Sequence, residues 1–264
     1  MPTSEFPIDT FLELASDTRC QILSMLTEKS FKMSDFSKKI HLTIQETHRN
    51  ITRLVNSGFI EKNHDGLFSL TDYGKLIFKQ ISYFQFIDEH KQFFAVHSVS
   101  LPSKFILRLG SLKNCKEIHN VTTVMETLKK LETNAEKQIK ILVAQAWESE
   151  GKILLEKAKK GIRIKTIFGY NSILPAEVDL LKKRIDSHSK NGIVEQRMIK
   201  KIDVSVFIID DKVAAISFPN KKGAIDLTSL LVGDDNNFVE WCKDLFEELW
   251  LTSRPFDITK VKRK

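Results

Sequence analysis

Residues 43–58 read TIQETHRNITRLVNSG, and the way this stretch folds decides the first half of the chain. Thr43 and Glu46 have capping-box spacing, in which a threonine hydroxyl and a glutamate carboxylate satisfy free N–H groups at a helix start. The apolar spacing predicts a helix running to Asn56-Ser57, with Thr47, Ile51, Leu54 and Val55 on its inner face. Gly58 is placed to end that helix in the left-handed conformation. Upstream, Ser34 is the expected cap of a short helix reaching Ile40, and His41-Leu42 makes a tight turn between the two. Residues 10–26, TFLELASDTRCQILSML, predict one further helix, opened by a second capping box of Thr10 with Glu13. Three helices with a tight turn between the last two are the helix-turn-helix pattern. Downstream, 59–63 and 67–70 are short strand candidates around His64-Asp65-Gly66, and Asp-Gly is a strong hairpin signal. A hairpin directly behind a recognition helix is a wing. Residues 71–75 then open another helix.

The run 14–23, LASDTRCQIL, resembles the opening helix of ArsR-like winged-helix regulators. The run 46–54, ETHRNITRL, followed by Gly58-Phe59-Ile60, is similar to archaeal regulators of the methanogenesis-regulator (FilR) type, and the remainder resembles that family's effector domain. The expected fold is an α+β winged helix-turn-helix domain over 1–95, followed by an α/β effector domain with a mixed central sheet over 96–264. The implied function is DNA-binding transcriptional regulation without enzymatic activity, by a homodimer.

The chemistry expected of the first domain is positional. Ile44, Gln45, Glu46, His48 and Arg49 point away from the inner helix face; glutamine can pair with adenine and arginine with guanine in the major groove. Arg53 and the wing residues Lys62, Asn63 and His64 suit phosphates, which fix register without reading sequence. Ser34 and Thr43, at the starts of their helices, complete the candidate set. Glu46 has a competing role as a cap, His48 and His64 as solvated histidines, and Arg49 and Arg53 as ion-pair partners of Glu46 or Asp72.

The 264 residues suit two domains of ordinary apolar content, 42% hydrophobic, which excludes disordered and low-complexity classes. The net charge of +7 is uneven: residues 1–95 sum to −1, while 31–80 carry eight Lys and Arg against five Asp and Glu, a locally basic face. No apolar run suits a membrane span, and Cys20, Cys115 and Cys242 are too scattered for a disulfide framework or a zinc knuckle. A cytoplasmic protein without cofactor or membrane partner is expected.

Residues 73–95 predict a helix apolar on several sides, either a dimer seam and bridge or simple packing between the domains of one chain. Beyond it, strands are expected over 138–144, 162–168, 193–199, 203–209 and 213–218, and helices over 146–160, 175–187 and 238–250. The layout of 203–220 is similar to the phospholipase-D-like fold, whose motif needs His, Lys two residues on and Asp five further. Set on Asp211, those places hold Val204 and Val206, so a phosphodiesterase reading has neither nucleophile nor phosphate clamp. No nucleotide-binding, hydrolase or metalloprotease motif occurs. A winged-helix protein-assembly adaptor is the remaining rival. For the effector domain the expectation is a small-molecule pocket at the strand ends, with polar groups from Gln145, Tyr170, Asn171 and Arg197 and walls from Trp147 and Phe168. Arg197 there suits an anionic ligand.

Overall fold

The computed structural model describes residues 6–175 and 192–263. The chain divides into two compact units that part between Phe84 and Gln85.

The first unit contains α1 (Ile8–Leu14), α2 (Asp17–Leu26), α3 (Met33–Lys39), α4 (Ile44–Asn56), β1 (Ile60–Lys62), β2 (Phe68–Leu70) and the start of α5 (Asp72–Glu89). The single helix expected over 10–26 is two. Helix α1 closes at Ala15, and the next residue, Ser16, is extended (φ −149°) with its hydroxyl accepting from the Arg19 N–H, so it caps α2. Ser34 is not the cap of α3: it sits second in the helix, and the Asp35 carboxylate accepts from the Lys32 N–H at 3.0 Å instead. In α4 the capping box of Thr43 with Glu46 forms as the spacing requires, and Gly58 takes φ +77° behind the helix. Ile22, Leu23, Phe36, Ile51, Leu54 and Phe59 form the core of this unit. Val55, expected inside, is 38% exposed; Asn50 takes an inner place, its amide donating to the Glu46 carbonyl at 2.9 Å.

The wing pairs Ile60 with Leu70 and Lys62 with Phe68, antiparallel. At its tip the Asn63 side-chain oxygen accepts from the N–H groups of Asp65 and Leu67, and Gly66 adopts φ +78°. Thr71 closes the hairpin, its hydroxyl donating to the Gly58 carbonyl at 2.6 Å. Gly74 lies so close behind Phe59 that an added Cβ would stand 2.0 Å from the Phe59 carbonyl oxygen. Only glycine lets α5 seat there.

The second unit starts within α5. The helix expected over 73–95 is interrupted at His90, where φ −103° and ψ 25° leave the helical region, and continues as α6 (Lys91–Val96). Then come α7 (Ser103–Ile106), β3 (Lys116–His119), α8 (Val121–Thr133), β4 (Gln138–Gln145), α9 (Glu148–Lys159), β5 (Arg163–Leu174), β6 (Val194–Ile199), β7 (Ser205–Ile209), β8 (Val213–Ser217), β9 (Ser229–Gly233), α10 (Asn236–Thr252), β10 (Arg254–Pro255) and β11 (Lys262–Arg263). The helix expected over 175–187 lies outside the described residues except for Pro175. The sheet order is β10-β6-β5-β4-β7-β8-β9-β3. Strands β4, β5 and β6 run parallel, with α9 as the crossover between the first two; β7, β8, β9 and β3 add antiparallel pairs, and β11 pairs parallel with β5. The sheet is therefore mixed. Residues 205–209 are buried at every position, as the apolar run implied. Between Val143 and Gln145 the register with β5 shifts, and the extra residues around Tyr170 leave the ladder. Buried Ser172 repairs it: its hydroxyl accepts from the Gly169 N–H at 2.8 Å and donates to the Val143 carbonyl at 3.1 Å. Among the described residues no helix is long and apolar enough to cross a membrane.

Candidate nucleic-acid interface

The two faces of α4 differ sharply. Thr47, Asn50, Ile51 and Leu54 are buried, whereas Ile44, Gln45, His48, Arg49, Thr52 and Arg53 are exposed. The side chains of Gln45, His48 and Arg49 have no hydrogen-bond or ion-pair partner among the described residues. Glu46, also on this side, is committed to the cap: its carboxylate accepts from the Thr43 N–H at 3.1 Å and from the Thr43 hydroxyl at 2.7 Å. The hydroxyl contact, then the backbone one, hold the Glu46 carboxyl below its ordinary pKa. That fixed negative charge also suits the positive end of the helix dipole.

Arg53 pairs with neither Glu46 nor Asp72. Glu13 of α1 takes it in a two-point contact, Nη2 at 2.7 Å and Nε at 3.1 Å, and this hydrogen-bonded partner raises the Arg53 pKa. Asp72 instead meets Lys75 at 2.9 Å. The same Glu13 carboxylate also lies 3.0 Å from Arg19, which is buried and donates to the carbonyls of Leu12 and Glu13. One carboxylate thus serves two guanidinium groups, leaving a net positive charge. Arg49, Arg53, Arg19, Thr18 and Ser16 line one polar concavity between the start of α2 and α4. The sequence reading missed Arg19 and Thr18, because helical periodicity gives no sign of a buried arginine on an otherwise apolar face.

Around this helix, Ser34 is exposed on α3, and Lys62 and His64 are exposed on the wing. The Lys62 ammonium rests 5.7 Å from the Phe68 ring centroid. Asn63 spends its side-chain oxygen on the wing turn, which leaves only its NH2 group to face outward.

In the second unit the expected ligand set does not assemble. Trp147 and Phe168 do share an apolar cavity, with Glu150, Thr166, Gln196 and Phe256. Arg197 is elsewhere: its guanidinium lies 4.9 Å from the Trp250 ring and donates to the Trp250 carbonyl at 3.2 Å. Alternation along β6 explains the error, since Gln196 and Arg197 must point to opposite faces. Tyr170 sits in the β5 bulge beneath the Lys260 ammonium, 5.0 Å away, and half-buried Gln145 ends β4 outside the cavity. The side chain of Asn171 lies outside the described residues.

The phosphodiesterase positions are likewise structural. Val204 and Val206 are buried at 1% and 0% exposure. Asp210 and Asp211 form the turn between β7 and β8, at φ +57° and +53°. Asp211 is ion-paired with Lys140 at 3.4 Å and Lys243 at 3.5 Å. Burial pushes the Asp210 carboxyl up, but accepting from the N–H groups of Gln138, Glu136 and Lys137 brings it below its ordinary pKa.

Residues 17–89 match the family model of a winged helix-turn-helix. Residues 121–252, half of the chain, match that of the middle domain of the methanogenesis regulatory protein FilR1. The chain belongs to the FilR1 family. As a FilR1-family member with a winged helix, it is a DNA-binding transcriptional regulator, as its resemblance to the archaeal FilR type implied. No curated protein matches it significantly. Solved structures similar to this FilR1-family chain include TrmBL2, an archaeal chromatin protein, at 11% identity and a TM-score of 0.43, covering 94% of this chain and 99% of that one. The phospholipase D family member Nuc of Salmonella typhimurium matches at 12% identity and 0.42, covering 54% and 97%. NucT of Helicobacter pylori matches at 17% and 0.42, covering 54% and 98%. Likenesses this loose carry no argument about what the chain does.

Proposed function

We propose that α4 enters the major groove and that the wing lies along the adjoining backbone. Gln45 and Arg49 read base edges, with His48 beside them, and Arg53, Lys62, Asn63 and His64 hold phosphates. A phosphate is received by Arg53 and Thr18 at the mouth of the concavity, on the side away from Glu46, which also lines it. Thr43 and Glu46 act by fixing the start of the helix, and Ser34 flanks the groove. The observation that carries this reading is the exposed, unpartnered row of Gln45, His48 and Arg49 on a helix whose opposite face is buried.

Residues 1–95 constitute the DNA-binding module with its trailing helix, and 96–264 the effector module, which senses a small molecule in the cytoplasm and catalyses nothing. The burial of Val204 and Val206 supports the last point. The active form is a homodimer. Supporting it is an exposed apolar surface in the first unit, with Phe11 and Leu12 of α1 and Leu76 of α5 at 52%, 55% and 66% exposure, on helices joined by the Thr10–Tyr73 hydroxyl contact at 2.9 Å. The deciding experiment is selection of bound duplexes from a random pool. A consensus of two half-sites about one helical turn apart is expected, with one position relaxing in Arg49→Ala. Binding with no sequence preference and no salt dependence would refute the reading.

A further inference from the structure

Two acidic side chains of the second unit have been taken out of water. Glu132, near the end of α8, is 2% exposed, and Glu150, in the first turn of α9, is 8% exposed. Glu150 Oε2 accepts from the Trp147 N–H at 3.2 Å, and Glu150 and Glu132 face the same cavity between α8 and α9. Glu132 Oε1 is buried without a hydrogen-bond partner among the described residues. Both residues line a cavity of about 160 Å³ between α8 and α9, whose other walls include Leu128, Ile153 and Trp147. Trp147 and Glu150 also wall the apolar cavity that holds Phe168 and Phe256. At the exposed rim, Lys129 stands beside Glu126, so the cavity has three carboxyls against one ammonium.

A buried acceptor with no donor is unfavourable, and it is satisfied only by a group that brings hydrogen atoms into the cavity. An anion is excluded by the carboxyls, and an apolar molecule leaves Glu132 Oε1 as it was. We propose that this cavity is the effector site and that it takes a primary amine carrying an apolar or aromatic body. The ammonium donates to Glu132 Oε1 and to Glu150, and the body lies along Trp147 towards the adjoining apolar cavity, where the indole face also attracts the cation. This deepens, and rests on, the reading of the chain as a ligand-sensing regulator, and it reverses the ligand charge expected from Arg197.

The test uses the full chain and three probes of one shape: 2-phenylethylammonium, 2-phenylethanol and 3-phenylpropionate. Tryptophan fluorescence and titration calorimetry at neutral pH should show the ammonium binding at least about tenfold tighter than the alcohol, with no binding of the carboxylate. Glu132→Gln, its fold checked by circular dichroism, should erase that preference; rim variant Glu126→Gln should keep most of it. If Glu132→Gln does not fold, Glu150→Gln carries the same expectation. Equal binding of ammonium and alcohol, failure of the ammonium to bind, or an unchanged preference in the folded variant overturns the site. DNA affinity is measured alongside: ammonium binding that leaves it unmoved overturns the effector role, whereas absence of DNA binding altogether overturns the regulator reading by itself.

Discussion

Gln45, His48 and Arg49 of the winged helix stand in water with no hydrogen-bond or ion-pair partner among the described residues, while Glu132 and Glu150 of the second unit are almost without solvent and share one cavity. The two sets differ in what sustains them. Exposed polar groups on α4 cost folding little, because water solvates them; on the proposed reading DNA replaces that water, and salt weakens the contact. The buried pair is held against its own desolvation, so its cost falls on stability and varies with pH rather than with salt. For Glu132, burial first and the neighbouring Glu150 second push the carboxyl up; for Glu150, burial outweighs the lowering effect of the Trp147 N–H. Raised carboxyl pKa values favour the protonated fold. The stabilising contribution is therefore complete below the ordinary value of 4.5 and is lost as pH rises through the neutral range.

The contrast can be broken at several points. Replacing Arg49 by Ala should weaken DNA binding by about tenfold or more and reduce the salt slope by about one, with an unchanged melting temperature; a fall in stability alongside would mean that Arg49 also serves the fold. Glu132→Gln should do the opposite. It should raise stability on the order of 1 kcal/mol at pH 8 and flatten the pH dependence of urea unfolding; a pH profile identical to wild type would remove the pair's role. Thr43→Ala should cost about 1 kcal/mol by urea unfolding, since the cap holds up the helix start, with only a small change in affinity. Arg53→Ala should weaken DNA binding only about threefold by gel shift, because Glu13 already offsets that charge. A loss matching that of Arg49 would show that DNA draws Arg53 away from Glu13.

The features that could be read in advance are those whose cause is local. Thr43 with Glu46, Gly58, and the Asp65-Gly66 turn each depend on neighbours within a few residues, so α4 and the wing fall where their spacing puts them. The failures come from longer reach. Ser16 breaks α1 from α2 because Arg19, three residues on, must turn inward to Asn50 and Glu13; the apolar pattern of 10–26 is compatible with either arrangement. Arg53 finds its partner forty residues away. In the effector domain the mixed sheet follows from its apolar runs, but β3 and β9 went unread, and so did the carboxyl pair. Glu132 and Glu150 look like ordinary solvated positions on amphipathic helices until α8 and α9 are laid together.

The missing side chain at Gly74 bears on how the wing is held. Because α5 rests directly on the Phe59 backbone, and Thr71 fastens the hairpin to Gly58 and Phe59, there is no slack between that helix and the base of the wing. A bulkier residue at this bearing would lift the first turn of α5 off the Phe59 backbone and disturb the base of the wing.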